Sequence, residues 1–355
     1  MSKYLKNCFS TLEAYVPGEQ PRDGEYIKLN TNESPFPPSQ RVINAINCEE
    51  VKNLRLYSDP TASQLKKSIA SLYGVESENV YVANGSDDIL NFSFMAFTGD
   101  KGEAVFPEIS YGFYKVFAEL YGIKSEQIPL KDDFSIDYKD YLNKNKFIVI
   151  ANPNAPTGLT LNLEEIEEIL KTNKDNIVLI DEAYVDFGGE SAVKLVSKYD
   201  NLLVCMTFSK SRCLAGARLG FAIGNSEIIK DLELIKYSTN PYNINRLTLL
   251  AGKAAIDDND YYIECCKTII DNRKYTVNEL KKLGFYVTDS KANFIFAECD
   301  WIDGETLYKK LKERKILIRH FSNEKIKNFN RITIGTLNQM ETFIENVKSI
   351  KEEMV

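Results

Sequence analysis

Thr207-Phe208-Ser209-Lys210-Ser211-Arg212-Cys213-Leu214-Ala215-Gly216-Ala217-Arg218-Leu219-Gly220-Phe221 comes directly after the apolar run Leu202-Leu203-Val204-Cys205-Met206. So short an apolar run reads as a strand buried on both faces. Lys210 therefore stands where a strand ends and a loop begins. A lysine in such a place is a candidate nucleophile, because burial or a cationic neighbour lowers an amine's pKa, and the chemistry that suits it is a Schiff base with a carbonyl. Arg218 and the hydroxyls of Thr207 and Ser209 flank it and together form a clamp for a phosphate dianion. A Ser-Lys pair with an arginine beyond it is also common in solvated loops, so this stretch takes its meaning from the rest of the chain.

Working outward, short apolar runs at 79–83, 103–106, 124–128, 147–151, 177–180, 202–206 and 219–223 alternate with helical patterns. This predicts an α/β fold: a three-layer large domain built on a mostly parallel sheet, over residues 30–245. Residues 246–355, with 1–29 as an N-terminal arm, read as a smaller α+β domain with strands at 285–288, 293–297, 316–319 and 330–334. One long helical stretch, about 245–283, connects the two.

Open parallel sheets bind ligands beyond the carboxyl ends of their strands, so the residues just past each strand carry the chemistry. After Val80-Tyr81-Val82-Ala83 come Asn84-Gly85-Ser86-Asp87 and a helix, where free amides and the helix dipole attract an anion. Beyond Ala104-Val105-Phe106 stands Tyr111, an aromatic able to stack on a flat ring. Val149-Ile150 leads into Ala151-Asn152-Pro153-Asn154-Ala155-Pro156-Thr157-Gly158, a turn too dense in Asn, Pro and Gly to be mere connection. Ile177-Val178-Leu179-Ile180 ends on Asp181, with Tyr184 three positions on. A carboxylate at the end of a buried strand is costly unless it meets a cation; a protonated pyridine nitrogen is such a cation, and Tyr184 is in reach of a phenolic oxygen on the same ring. With Lys210 and Arg218 these ends describe a pyridoxal phosphate site.

Composition narrows the alternatives. The 355 residues are 44% hydrophobic and 27% charged with a formal charge of -7, a globular composition that disfavours nucleic-acid binding. No signal peptide or membrane span is read, and the cytoplasm is the expected location. The seven cysteines are scattered and the single histidine is His320, so neither a metal site nor a Ser-His or Cys-His relay is expected.

These residues resemble fold-type I pyridoxal-phosphate enzymes of the class I/II aminotransferase superfamily, and within it the histidinol-phosphate aminotransferases. Further markers are Tyr15-Val16-Pro17-Gly18, Leu29-Asn30-Thr31-Asn32-Glu33-Ser34-Pro35, Pro241-Tyr242-Asn243-Ile244-Asn245 and Arg331-Ile332-Thr333-Ile334-Gly335-Thr336. The resemblance implies Lys210 as the imine-forming lysine, Asp181 as partner of the ring nitrogen, Tyr184 and Asn154 on the ring oxygen and Tyr111 on the ring face. Ser86, Asp87, Ser209 and Arg218 hold the phosphate in that reading. Many relatives carry a second Asn where this chain has Ala155, which leaves Asn152 as the alternative to Asn154. By the same resemblance Tyr57 is lent to a neighbouring subunit's phosphate, implying a homodimer. Arg331 and Arg319 grip the substrate's anionic end, and Tyr15 walls the site. The implied reaction moves an amino group from histidinol phosphate to 2-oxoglutarate. An aromatic-amino-acid aminotransferase and a threonine-phosphate decarboxylase fit the same pattern.

Overall fold

The computed structural model describes residues 4–5, 9, 12–21 and 23–354. In chain order β1 (Ile27–Lys28) leads to α1 (Gln40–Ala45), α2 (Cys48–Lys52) and α3 (Ser63–Tyr73). Then come β2 (Val80–Ala83), α4 (Ser86–Phe97), β3 (Glu103–Pro107), α5 (Phe113–Tyr121), β4 (Lys124–Ile128), β5 (Phe147–Ala151) and α6 (Leu163–Thr172). Next are β6 (Val178–Asp181), β7 (Leu202–Thr207), β8 (Gly220–Gly224), α7 (Ser226–Thr239), α8 (Arg246–Asp257) and α9 (Asn259–Lys282). The last elements are β9 (Phe285–Val287), β10 (Phe294–Cys299), α10 (Gly304–Glu313), β11 (Ile316–Leu317), β12 (Arg319–His320), β13 (Asn330–Thr333) and α11 (Leu337–Met354).

A seven-stranded sheet in the order β2-β8-β7-β6-β5-β3-β4 forms the larger body. Its pairs from β7 to β4 are parallel, while β8 runs antiparallel to both β7 and β2. Every residue of β5, β6 and β7 is buried, as expected of strands covered on both faces. Side chains alternate along them: Ile148 and Ile150 join the core with α3, α6 and α8, whereas Phe147, Val149 and Ala151 join the core with α4, α5 and α7. Three layers result. The carboxyl ends of β2, β3, β5, β6 and β7 consequently share one edge.

The second body is an antiparallel sheet, β12-β13-β10-β9, packed on α9 and α11. Two stretches differ from the sequence reading. Residues 245–283 form two helices, because Asp258 leaves the helical region (φ -112, ψ 43); short polar Asp and Asn side chains compete for backbone partners and favour such breaks. The 316–319 strand also divides. Ile316 and Leu317 pair in parallel with Ile27 and Lys28, then Arg319 and His320 switch to β13. That switch ties the N-terminal arm to the second sheet and carries Arg319 toward the edge of the first. Among the described residues no helix is long and apolar enough to cross a membrane.

Candidate active site

The anion end of the site is built by two close backbone approaches. Gly85, between β2 and α4, has φ +86, and a Cβ there would meet the Arg218 guanidinium at 2.9 Å. A Cβ on Gly220 would lie 2.6 Å from the backbone of Gly85 and Ser86. Glycine at both positions lets β8 press against the start of α4, whose first-turn amides have no side-chain cap. Arg218, itself left-handed at φ +51, reaches Asp87 Oδ2 at 2.8 Å and Ser209 Oγ at 3.5 Å. Thr207 Oγ1 accepts from the Ser209 amide at 3.1 Å and shapes the turn. The Asp87 carboxylate also accepts from the Tyr111 hydroxyl at 2.8 Å. Occupied by Arg218 and Tyr111, it orients them, and the Asp87 group suited to an anion is its backbone amide in the uncapped first turn of α4.

Asp181 closes β6 at 4% exposure. Its Oδ2 accepts from the Tyr114 hydroxyl at 2.8 Å and its Oδ1 from the Ala183 amide at 3.2 Å, with no cation bonded to it among the described residues. Burial pushes its pKa up to about 6, against the pull of those two hydrogen bonds. Tyr114, absent from the sequence reading, reads as an ordinary apolar position of α5. Only the fold brings its hydroxyl beneath Asp181.

Lys210 is half-buried just past β7, with Nζ 3.1 Å from the Thr31 carbonyl and 5.8 Å from the Tyr184 ring centre. Burial, with Arg331 next in effect, drops its pKa to about 8, so an uncharged amine is accessible near neutral pH. Tyr184 accepts from Asn32 Nδ2 at 3.0 Å. Asp181, Tyr184, Lys210, Tyr111, Ser209 and Arg218 line one cavity, together with Ala155.

Asn154 has its polar atoms engaged within the protein. Its Nδ2 donates to the Ile109 carbonyl (3.0 Å) and Thr157 Oγ1 (3.2 Å), and its Oδ1 accepts from Ser110 (2.8 Å). Both amide hydrogens are spent holding the turn, so none is left for a ring oxygen. The alternative, Asn152, is likewise closed on Leu161 through both polar atoms. Ala151 and Ala155 are the described residues of this stretch that line the cavity.

On the opposite wall, Arg319 and Arg331 sit directly across from each other in the β12–β13 pair. Arg331 donates to the Asn30 carbonyl at 3.0 Å, its buried Nε has no partner among the described residues, and its guanidinium lies over Phe294 and Phe321. Neither arginine forms an ion pair among the described residues; Glu19, near Arg319, is held by Lys312 at 2.6 Å. Tyr15 stacks on Phe113 (centroids 4.3 Å apart) and tilts over Tyr111 at 6.1 Å. Tyr57 lies away from this cluster, 80% exposed and stacked on Tyr242 at 4.5 Å.

A buried amine, a buried carboxylate lacking its cation and an anion clamp, at the carboxyl edge of a mostly parallel sheet, define an enzyme with the fold of the fold-type I pyridoxal-phosphate transferases. The chain belongs to the aminotransferase class I and II family, whose model matches residues 24–347. It is 53% identical to the histidinol-phosphate aminotransferase of Brachyspira hyodysenteriae over 99% of both chains. Identity to the enzyme of that name from Clostridium acetobutylicum is 47%, over 98% of this chain and 99% of the other. A solved structure of the histidinol-phosphate aminotransferase from Clostridium acetobutylicum superposes with a TM-score of 0.85 at 28% identity, covering 92% of this chain and 99% of that one. The histidinol-phosphate aminotransferase from Sinorhizobium meliloti, solved in complex with pyridoxal-5'-phosphate, shares the fold with a TM-score of 0.89 at 20% identity, over 100% of this chain and 99% of that one.

Proposed function

We propose that this chain is a pyridoxal-phosphate-dependent aminotransferase that transfers the amino group of histidinol phosphate to 2-oxoglutarate. The observation that carries the substrate is the opposed pair Arg319 and Arg331. Like charges directly across a strand pair repel, and a buried guanidinium without an anion is costly. A phosphate dianion relieves both, and the planar donors of either arginine also suit a carboxylate, so the same wall serves the second substrate. The names borne by the Brachyspira and Clostridium relatives support this assignment.

The donor set fits the cofactor. Arg218, Ser209, Ser86 and the first-turn amides of α4 hold a phosphate, Asp181 matches a protonated ring nitrogen, Tyr184 a ring oxygen, and Tyr111 a ring face. When bound, the cofactor supplies an aldehyde for the Lys210 amine and a ring that accepts the electron pair released at the substrate carbon. Lys210, displaced by the substrate's amine and uncharged, takes the proton from that carbon. Asp181, shielded from water, carries its charge at least cost when it faces a protonated ring nitrogen. Arg331 and Arg319 fix the far end of the substrate so that this carbon faces Lys210.

The test is a donor panel of histidinol phosphate, phenylalanine, tyrosine and threonine phosphate. Histidinol phosphate is expected to react best. Arg319→Leu is expected to lower its kcat/KM about tenfold to a hundredfold, the size of one charge-assisted hydrogen bond, with a smaller loss for glutamate. Reaction with aromatic amino acids alone, or release of carbon dioxide from threonine phosphate, would sink the substrate assignment and leave the family standing.

We also infer a homodimer working in the cytoplasm, where thiols such as Cys205, Cys213 and Cys265 stay free. Ile43, Val51, Leu54, Leu56, Tyr57 and Tyr242 are exposed, with Tyr242 stacked on Tyr57, and a second copy covering them would bury this apolar area. Sedimentation is expected to give twice the chain mass, and Tyr57→Ala to weaken cofactor binding about tenfold at unchanged mass. A stable, fully active monomer would refute the shared site.

A further inference from the structure

Ala155 leaves a methyl group where the cavity meets the Asn-Pro turn, while the side-chain amide of Asn152 donates to the Leu161 carbonyl and that of Asn154 to Ile109 and Thr157. The side-chain amide that reaches the Tyr184 phenol comes from the other side of the site. Asn32 Nδ2 donates to Tyr184 Oη at 3.0 Å. Which way this amide points is determined by its neighbours. Thr333 Oγ1 accepts the Asn32 backbone N–H at 3.0 Å, so its own hydrogen is free to go to Asn32 Oδ1, 2.9 Å away. With Oδ1 facing a donor, the NH2 group faces Tyr184.

A phenol that receives a hydrogen bond from an amide sends its own proton elsewhere. The open direction for Tyr184 is the cavity it shares with Lys210 and Asp181. The hydroxyl is thus a committed donor toward an oxygen bound there. Asn32 is buried, at 1% exposure, and held at φ +56, a left-handed conformation that asparagine tolerates better than most residues. Asn293 Nδ2 grips its carbonyl at 3.0 Å, and the preceding carbonyl, Thr31, accepts from Lys210. Two adjacent residues therefore touch the amine and the phenol at once, and Asn32 is anchored on β13 of the second sheet through Thr333.

We propose that Asn32 is a positioning residue for the reaction: backed by Thr333, it turns the Tyr184 hydroxyl into the cavity as a hydrogen-bond donor, supplying from the segment after β1 the amide that Ala155 lacks. This rests on the cofactor reading above and extends it to a residue that touches neither substrate nor cofactor.

The readout is the pH at which the colour of the purified protein, loaded with pyridoxal phosphate, changes, measured by absorbance titration. A donor to the ring oxygen stabilises its anionic form, so losing the donor moves the colour change to higher pH. Tyr184→Phe is expected to raise it by about one pH unit, the size of one hydrogen bond to a charged group. Asn32→Ala is expected to move it the same way by about half as much, and to add nothing in a Tyr184→Phe background, because its effect passes through the phenol. Asn32→Asp, which keeps the shape but accepts the phenol proton, is expected to shift it at least as far as Asn32→Ala. Thr333→Val, releasing the amide from behind, is expected to give a smaller shift of the same sign and covers the case in which Asn32 variants fold poorly. Equal shifts with and without the Tyr184 hydroxyl, or no shift in any Asn32 or Thr333 variant, overturn the inference alone. If the parent protein takes up no colour with pyridoxal phosphate, the cofactor reading falls and this inference with it.

Discussion

Replacing Lys210 with alanine is expected to abolish transamination, lowering kcat by at least about a thousandfold, while leaving the protein folded. The loss is large because two roles vanish together: covalent capture of the aldehyde and transfer of the substrate's proton. The fold should tolerate the change. Among the described residues Nζ makes one hydrogen bond, to the Thr31 carbonyl, and its positive charge is disfavoured where it stands, as its pKa of about 8 records. Losing one such bond costs on the order of 1 kcal/mol, so the melting temperature should move by only a few degrees. Turnover by the alanine variant within tenfold of the parent, at matched cofactor loading, would remove Lys210 from the chemistry.

The second large effect is at Asp181, and there activity and stability should move in opposite directions. Asp181→Asn removes the charge expected to hold a proton on the cofactor ring. Breaking a buried charge pair from one side costs about 3–5 kcal/mol, so kcat should fall by about two to four orders of magnitude. Without cofactor the sign reverses. Burial raises the Asp181 pKa from the ordinary 3.8 to about 6, so between those values the folded chain holds more protons than the unfolded one. Stability from this group is therefore complete below the unfolded pKa and is lost as pH rises through 6. The ionised carboxylate then costs the parent about 3 kcal/mol, from which one weakened hydrogen bond in the variant subtracts about 1 kcal/mol. Cofactor-free Asp181→Asn should accordingly outlast the parent in urea by about 2 kcal/mol above pH 7 and match it or fall slightly below it near pH 4. A variant less stable than the parent at pH 8 would show that Asp181 is not an uncompensated buried charge.

These two residues were legible because each depends on something local. Leu202–Met206 and Ile177–Ile180 are apolar enough to be read as covered strands, and a charged residue at the end of such a strand needs a chemical reason to be there. The same logic reached Ser86, Tyr111 and Arg218, one strand end at a time. It did not reach Tyr114, whose hydroxyl bonds Asp181 across 67 positions of chain, because on α5 it looks like one more packed aromatic. Asn154 shows a related limit of local reading. A polar residue in a dense turn looks available, yet its three hydrogen bonds close on Ile109, Ser110 and Thr157. The break at Asp258 escaped too, since apolar spacing on its two sides suits a single helix.

Strand burial, the order of strands and helices, and the identity of the amine and acid come from short windows of sequence, because hydrophobic periodicity and the cost of burying a charge are local properties. The direction in which each polar atom faces is settled elsewhere. Asn32 meets Tyr184 and Thr333, and Arg319 comes to oppose Arg331, only after β11 joins the arm and β12 joins the second sheet. A hydrogen bond is decided by angles and by distances of a few tenths of an ångström between residues far apart in the chain, and only a packed interior imposes those.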